Sequence, residues 1–224
     1  MLIALGADLL DMPRSGMGIA LQGFLRAAET LNVQSLFHLV HRQPFQDGAY
    51  AAFADTVINQ PSGPASGLRR TQFRLPRALA EMEVDLLHWP YQITPPVKSD
   101  IPIVISVWDI APMLFDEPTW SRLAVFVKYR TILRKALGNA AHIIAHSRAI
   151  AGDLVSDFGL PGERITVVYP SVADIFEREI QNEARLNPEG PILYVGTNST
   201  RKNLDLLLQA YAVLVRQGVK NRLA

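Results

Sequence analysis

Short apolar runs alternate along this chain with stretches of helical spacing, and few folds accommodate that pattern. Leu2–Gly6 reads as a buried strand, and Leu21, Phe24, Leu25, Ala28 and Leu31 then follow a helical stripe. Val33–Val40, Val84–Trp89, Ile101–Trp108, His142–His146 and Ile165–Tyr169 read as further strands. Between them, Leu75–Met82 and the segment from Trp120 to Leu137 carry helical spacing. Ser147 is placed to cap a helix running to Phe158, which Gly159 closes. Residues 41–67, rich in Gly, Pro, Gln and Ser, read as a loop or lid. Strand–helix alternation with short connections predicts an α/β fold, a Rossmann-like parallel sheet with helices on both faces.

Composition narrows the partners. Charged residues make up 19% of the 224 and the formal net charge is +1, so no global pull toward nucleic acid is expected. Cysteine is absent, which removes disulfides and thiolate metal sites. The N-terminus meets Asp8 and Asp11 after a short apolar run, unlike a signal peptide. No run approaches the roughly 20 apolar residues that span a bilayer. The expected location is cytoplasmic, with peripheral contact at the inner membrane face as an extension.

In parallel sheets ligands bind beyond the carboxyl ends of the strands. Three such segments stand out. Met12–Gly18 precedes the first helix, and Gly16 and Gly18 would let backbone N–H groups approach an anion; a tight turn explains them equally. The third glycine of a dinucleotide fingerprint is replaced by Leu21. Trp108-Asp109 comes directly after a buried strand, where a carboxylate lines a cleft or caps a turn. Gly196-Thr197-Asn198-Ser199-Thr200-Arg201-Lys202-Asn203 joins an apolar run to a helix. Cations at a helix start oppose its dipole, so an anionic ligand accounts for Arg201 and Lys202 better than local stability does.

Other constellations carry less. His142 and His146 share a strand face but lie about 13 Å apart, too far to chelate one ion. His38 and His41 read as packing or loop residues. Arg69, Arg70, Arg74 and Arg77, like Arg122, Lys128, Arg130, Arg134 and Lys135, read by default as solvated helix faces. An anionic membrane surface or a phosphorylated acceptor is the other use of such clusters.

Three segments together resemble the retaining glycosyltransferases of family 4: Ala140–Ser147 followed by Ile165–Val172, Ile192–Thr197 with Arg201–Leu204, and the glycine turn Ser15–Ile19. The resemblance implies a GT-B fold, two Rossmann-like domains facing across a cleft. It implies a UDP- or GDP-sugar donor, a glycan or lipid-linked saccharide as acceptor, retention of configuration, a mannosyltransferase-like chemistry, and no metal or other cofactor. Carried over residue by residue, Arg201 and Lys202 would neutralise the departing diphosphate beside Gly16 and Gly18. Gly196, Thr197 and Asn203 would complete the donor side; Trp108, Asp109 and Ser147 would line the acceptor side. Asp109, Arg201 and Lys202 are the expected catalytic set. Two positions depart from the family pattern: Trp108 stands where His usually precedes Asp109, and Ser171 where Gly is common.

The expected organisation is an acceptor-side domain over 1–172, a charged linker over 173–190, and the start of the donor domain over 191–224. A second Rossmann-like domain needs on the order of 150 residues, so that second domain reads as incomplete. The paired glutamates of the family would lie beyond it, and turnover would need the missing C-terminal domain or a complementing subunit. Two other readings stay open: a non-catalytic acceptor- or nucleotide-binding subunit, and an unrelated Rossmann-type binder in which the 192–196 strand joins the first sheet.

Overall fold

A computed structural model describes residues 1–11, 15–45, 50–63, 65–110, 120–171, 188–196 and 202–224, with side chains in the long helix described from residue 130 onward. It falls into two units, Met1–Ala173 and Asp174–Ala224.

The first unit is built on seven strands: β1 (Ile3–Gly6), β2 (Phe37–His41), β3 (Ala54–Val57), β4 (Leu86–Trp89), β5 (Ile103–Val107), β6 (His142–Ala145) and β7 (Ile165–Val167). Their order is β3-β2-β1-β4-β5-β6-β7 and every pairing is parallel. This is the expected Rossmann-like sheet. Strand order reverses between β1 and β4. Right-handed crossovers leaving in opposite directions from that point put helices on opposite faces.

Helices α1 (Gly16–Thr30), α2 (Ser66–Arg69), α3 (Leu75–Glu81), α4 (Trp120–Asn139) and α5 (Arg148–Ser156) supply the layers. Apolar side chains turn inward from three of them: Leu21, Leu25 and Ala28 from α1; Leu75 and Leu79 from α3; Leu133, Ala136 and Leu137 from α4. They close on Leu5, Leu39, Leu87, Ile105, Val107 and Ile143, all without exposed surface. Burial of that apolar area is the main stabilising term.

Several boundaries differ from the sequence reading. Val33 to Leu36 is not strand: Gln34–Leu36 forms a 3-10 turn, and β2 runs on to His41. Within 41–67 the chain forms edge strand β3, whose first two residues are exposed. Five residues, Arg70–Arg74, join α2 to α3 as a π-turn. Gly138 lies inside α4 rather than capping it. Gly159 does close the next helix, at φ +67°.

In the second unit, Ile192 bridges Leu223 in parallel, with Ile192 N–H donating to Arg222 O at 2.8 Å and Tyr194 N–H to Ala224 O at 2.8 Å. All seven strands of the large sheet come from residues 3–167. The 192–196 segment therefore pairs with 222–224 and not with the first sheet, against the single-sheet reading. Helix α6 (Leu204–Arg216) lies between these two segments; none of its residues is buried. The linker assignment of 173–190 falls mostly outside the described residues.

Candidate active site

The carboxyl ends of β1 and β4 flank the switch point, and the loops there build the site. β1 passes into a 3-10 turn, Asp8–Asp11, and α1 begins at Gly16. Ser15 caps α1: its Oγ accepts from Gly18 N–H at 3.0 Å. The N–H groups of Gly16 and Met17 are the first-turn donors that helix geometry leaves over. The two glycines are not equivalent. A Cβ on Gly18 would sit 2.9 Å from Leu9 O, whereas one on Gly16 would meet nothing within 4 Å. Gly18 is thus required by the close approach of the turn to the helix, and Gly16 leaves open space. Gly18→Ala is expected to lower stability by about 1–3 kcal/mol through overpacking, whereas Gly16→Ala, with open space around it, is expected to leave stability unchanged or raise it by up to about 1 kcal/mol. Urea unfolding of the two variants checks this.

Beneath the turn lies a buried polar cluster. Asp8 Oδ2 accepts from Arg70 Nη1 at 2.7 Å and from Tyr91 OH at 2.9 Å. Arg70 also donates from Nε to Ile58 O. Arg70 is 1% exposed, Asp8 8% and Tyr91 4%. Arg70 is therefore not part of a solvated helix face as the sequence suggested; the π-turn carries it inward while Arg74 and Arg77 stay outside. Burial, with Asp8 alongside, pushes the Tyr91 phenol well above its ordinary range. Arg42 serves the other carboxylate, with its N–H 3.4 Å and its Nε 3.8 Å from Asp11 Oδ2. Burial still raises the Asp11 pKa.

A second cluster occupies the ends of β4, β5 and β6. The Gln92 amide joins two strand ends, accepting from Trp108 N–H at 3.2 Å and donating to Asp109 O at 2.7 Å. Trp108 Nε1 donates to Pro90 O at 2.8 Å, and its ring packs on His146 with centroids 3.7 Å apart. His146 Nδ1 donates to Val168 O at 2.9 Å, which leaves Nε2 as the acceptor nitrogen; it is buried and has no hydrogen-bond partner among the described residues. Burial lowers the His146 pKa. Ser147 Oγ is engaged, accepting from Ile150 N–H at 3.1 Å as the cap of α5.

The structure thus brings Gly16, Gly18, Trp108, Asp109 and Ser147 to one edge of one sheet. Gly196, Lys202 and Asn203 lie in the second unit, where Asn203 adopts φ +47° before α6. Thr197 and Arg201 lie outside the described residues. Sequence reasoning missed Arg70, Tyr91 and Gln92 and set His146 aside. Among the described residues, no group of three or more His, Asp or Glu side chains is arranged to hold a metal ion, and no helix is long and apolar enough to cross a membrane.

Comparison with known proteins gives a family and a fold. The family model described as Glycosyltransferase Family 4 matches residues 26–174, about two thirds of the chain. No curated protein sequence matches it. Among solved structures, WaaG, a glycosyltransferase of lipopolysaccharide biosynthesis, superposes with TM-score 0.59 at 15% identity, over 93% of this chain and 58% of its own. UDP-N-acetylglucosamine 2-epimerase from Rickettsia bellii gives 0.52 at 14%, over 97% and 60%. Anabaena Alr3699/HepE, solved with UDP and glucose, gives 0.50 at 18%, over 95% and 58%. At such identities the likeness is one of fold. The chain spans about 60% of the length of these structures.

Proposed function

The chain belongs to glycosyltransferase family 4, and on that premise we propose that its protein moves a sugar from a UDP- or GDP-sugar to a glycan or lipid-linked saccharide with retention of configuration. The observation that carries this reading is the family match over 26–174, on a sheet whose switch point faces the glycine-containing first turn of helix α1. That the Anabaena protein of similar fold holds UDP and glucose supports a nucleotide-sugar donor.

In this mechanism the charge that develops on the leaving diphosphate is met by Arg201 and Lys202 and by the N–H groups at the start of α1. Such preorganised donors act where negative charge appears, and removing one typically costs about 100- to 1,000-fold in rate. Gly196, Thr197 and Asn203 shape the donor side; Trp108 and Asp109 line the acceptor side. The domain roles accord with this: 1–172 binds acceptor and 191–224 opens the donor side. Because α6 buries none of its residues, turnover needs further polypeptide over that unit, in cis or from another subunit. No metal takes part. The protein works in the cytoplasm, with peripheral contact at the inner membrane face.

The test is a transfer assay with labelled UDP- and GDP-sugars and a panel of glycan and lipid-linked acceptors, run with and without EDTA. The 224-residue chain alone is expected to give no donor-dependent product. Supplied with further polypeptide that covers α6, it is expected to transfer from one donor, insensitive to EDTA and with the anomer retained by NMR. Turnover by the chain alone would refute the need for more polypeptide. Acceptor or nucleotide binding without transfer by the supplemented protein would favour a non-catalytic subunit.

A further inference from the structure

We infer that Arg70 is a positioning residue for the glycine turn, holding Asp8 so that the 3-10 turn beneath the start of α1 stays in place and presents no uncompensated negative charge there. The anion-binding half of this inference rests on the reading under Proposed function; the tether does not.

Three side chains from separate elements meet at one oxygen. Arg70 comes from the π-turn, Tyr91 from the end of β4, and Asp8 from the end of β1. Through Nε, Arg70 is also fixed to Ile58 O after β3. π-turns recur at functional positions, where the extra residue re-aims a side chain. Here it places a guanidinium under the switch point.

Asp8 opens the turn Asp8–Asp11, and Leu9 O of that turn abuts the Gly18 backbone. Any shift of Asp8 is therefore passed to the first turn of α1. The turn also carries two carboxylates close to the place where an anion would sit. Each has its own guanidinium: Arg70 at 2.7 Å for Asp8, Arg42 at 3.8 Å for Asp11. Left alone, either carboxylate would oppose a diphosphate.

The pair is not built for stability alone. Only one prong of it closes: Asp8 Oδ1 and Arg70 Nη2 are buried and without a hydrogen-bond partner among the described residues. A buried ion pair with unsatisfied atoms is commonly no better than apolar residues of the same volume. Its placement at the turn gives it a use.

Two variants test this, Tyr91→Phe and the neutral double replacement Asp8→Asn with Arg70→Met. Native-state hydrogen exchange is monitored at the amides of Leu10, Gly18 and Ile19, which bond to Ala7 O, Ser15 Oγ and Ser15 O. In both variants exchange there is expected to quicken about tenfold more than at the β5 and β6 amides, which report only the change in global stability; that difference is the signature of local opening. Unchanged rates at the turn, or equal acceleration across the sheet, would overturn the tether. UDP and GDP are titrated into the same samples and into Arg70→Met, which alone leaves the Asp8 carboxylate uncompensated. About tenfold weaker diphosphate binding by Arg70→Met than by the neutral double variant supports the electrostatic half, and equal affinity overturns it. If the wild type shows no diphosphate binding, the reading under Proposed function loses its support, and the exchange rates still decide the tether.

Discussion

Arg70→Met is expected to be among the most damaging single substitutions in the first unit, at about 3–5 kcal/mol. The side chain is 1% exposed and holds a carboxylate that is itself buried. Removing the cation leaves that charge without a partner in low dielectric, the situation in which breaking a buried pair costs that much. Against a total stability of about 5–15 kcal/mol for a typical domain, the loss leaves little margin. The double variant Asp8→Asn/Arg70→Met removes both charges and is expected to recover all but about 1–2 kcal/mol. The surface pair Arg77–Glu81 serves as the control. It is 3.6 Å long, with side chains 86% and 72% exposed; solvent screening makes Arg77→Met nearly neutral, within about 0.5 kcal/mol. Urea denaturation of the four proteins measures the series. An Arg70→Met loss no larger than that of Arg77→Met would mean that Asp8 does not depend on Arg70 in the native state.

The contrast between those two arginines shows what one sequence conceals. Arg69, Arg70, Arg74 and Arg77 fall within nine positions, and no period separates the buried one from the rest. The π-turn decides it, burying Arg70 and Thr71 while Arg74 stays exposed. Asp8 and Tyr91 are 83 positions apart and Asp8 and Arg70 are 62 apart, so their meeting leaves no local trace. The central strands were legible because a sheet covered on both faces demands near-continuous apolar runs such as Ile103–Val107. Edge strand β3 was not, since Ala54 and Asp55 face solvent and carry no such signal. At the site, the chemistry-bearing positions after β5 and β6 could be found from the rule that ligands bind at the carboxyl ends of parallel strands. Their individual duties could not: Ser147 spends its hydroxyl on capping α5, and His146, too far from His142 to share a metal, keeps a buried acceptor nitrogen and packs its ring on Trp108.

Acid is expected to weaken the first unit through His88. Its Nε2 lies 2.9 Å from Ser106 Oγ between β4 and β5, and burial, with His146 nearby, pushes its pKa down to about 4. In the unfolded chain the same imidazole titrates near 6.5. Between those values the unfolded state takes a proton that the native state refuses, so stability falls as pH falls, by up to about 1.4 kcal/mol per pH unit. The contribution is fully present above about pH 6.5 and is lost by about pH 4, a total of roughly 3 kcal/mol from this one residue. His38 and His146, whose pKa values burial also lowers, act in the same direction. Asp11 opposes them just above pH 4, because its raised pKa lets the native state hold the extra proton there. His88→Gln keeps an amide that can reach Ser106 without a titrating group. Urea midpoints from about pH 7.5 to about pH 4.5 are expected to fall less steeply in that variant than in the wild type, by about one proton's worth of slope. Parallel curves for the two proteins would show that His88 titrates alike in the folded and unfolded chains.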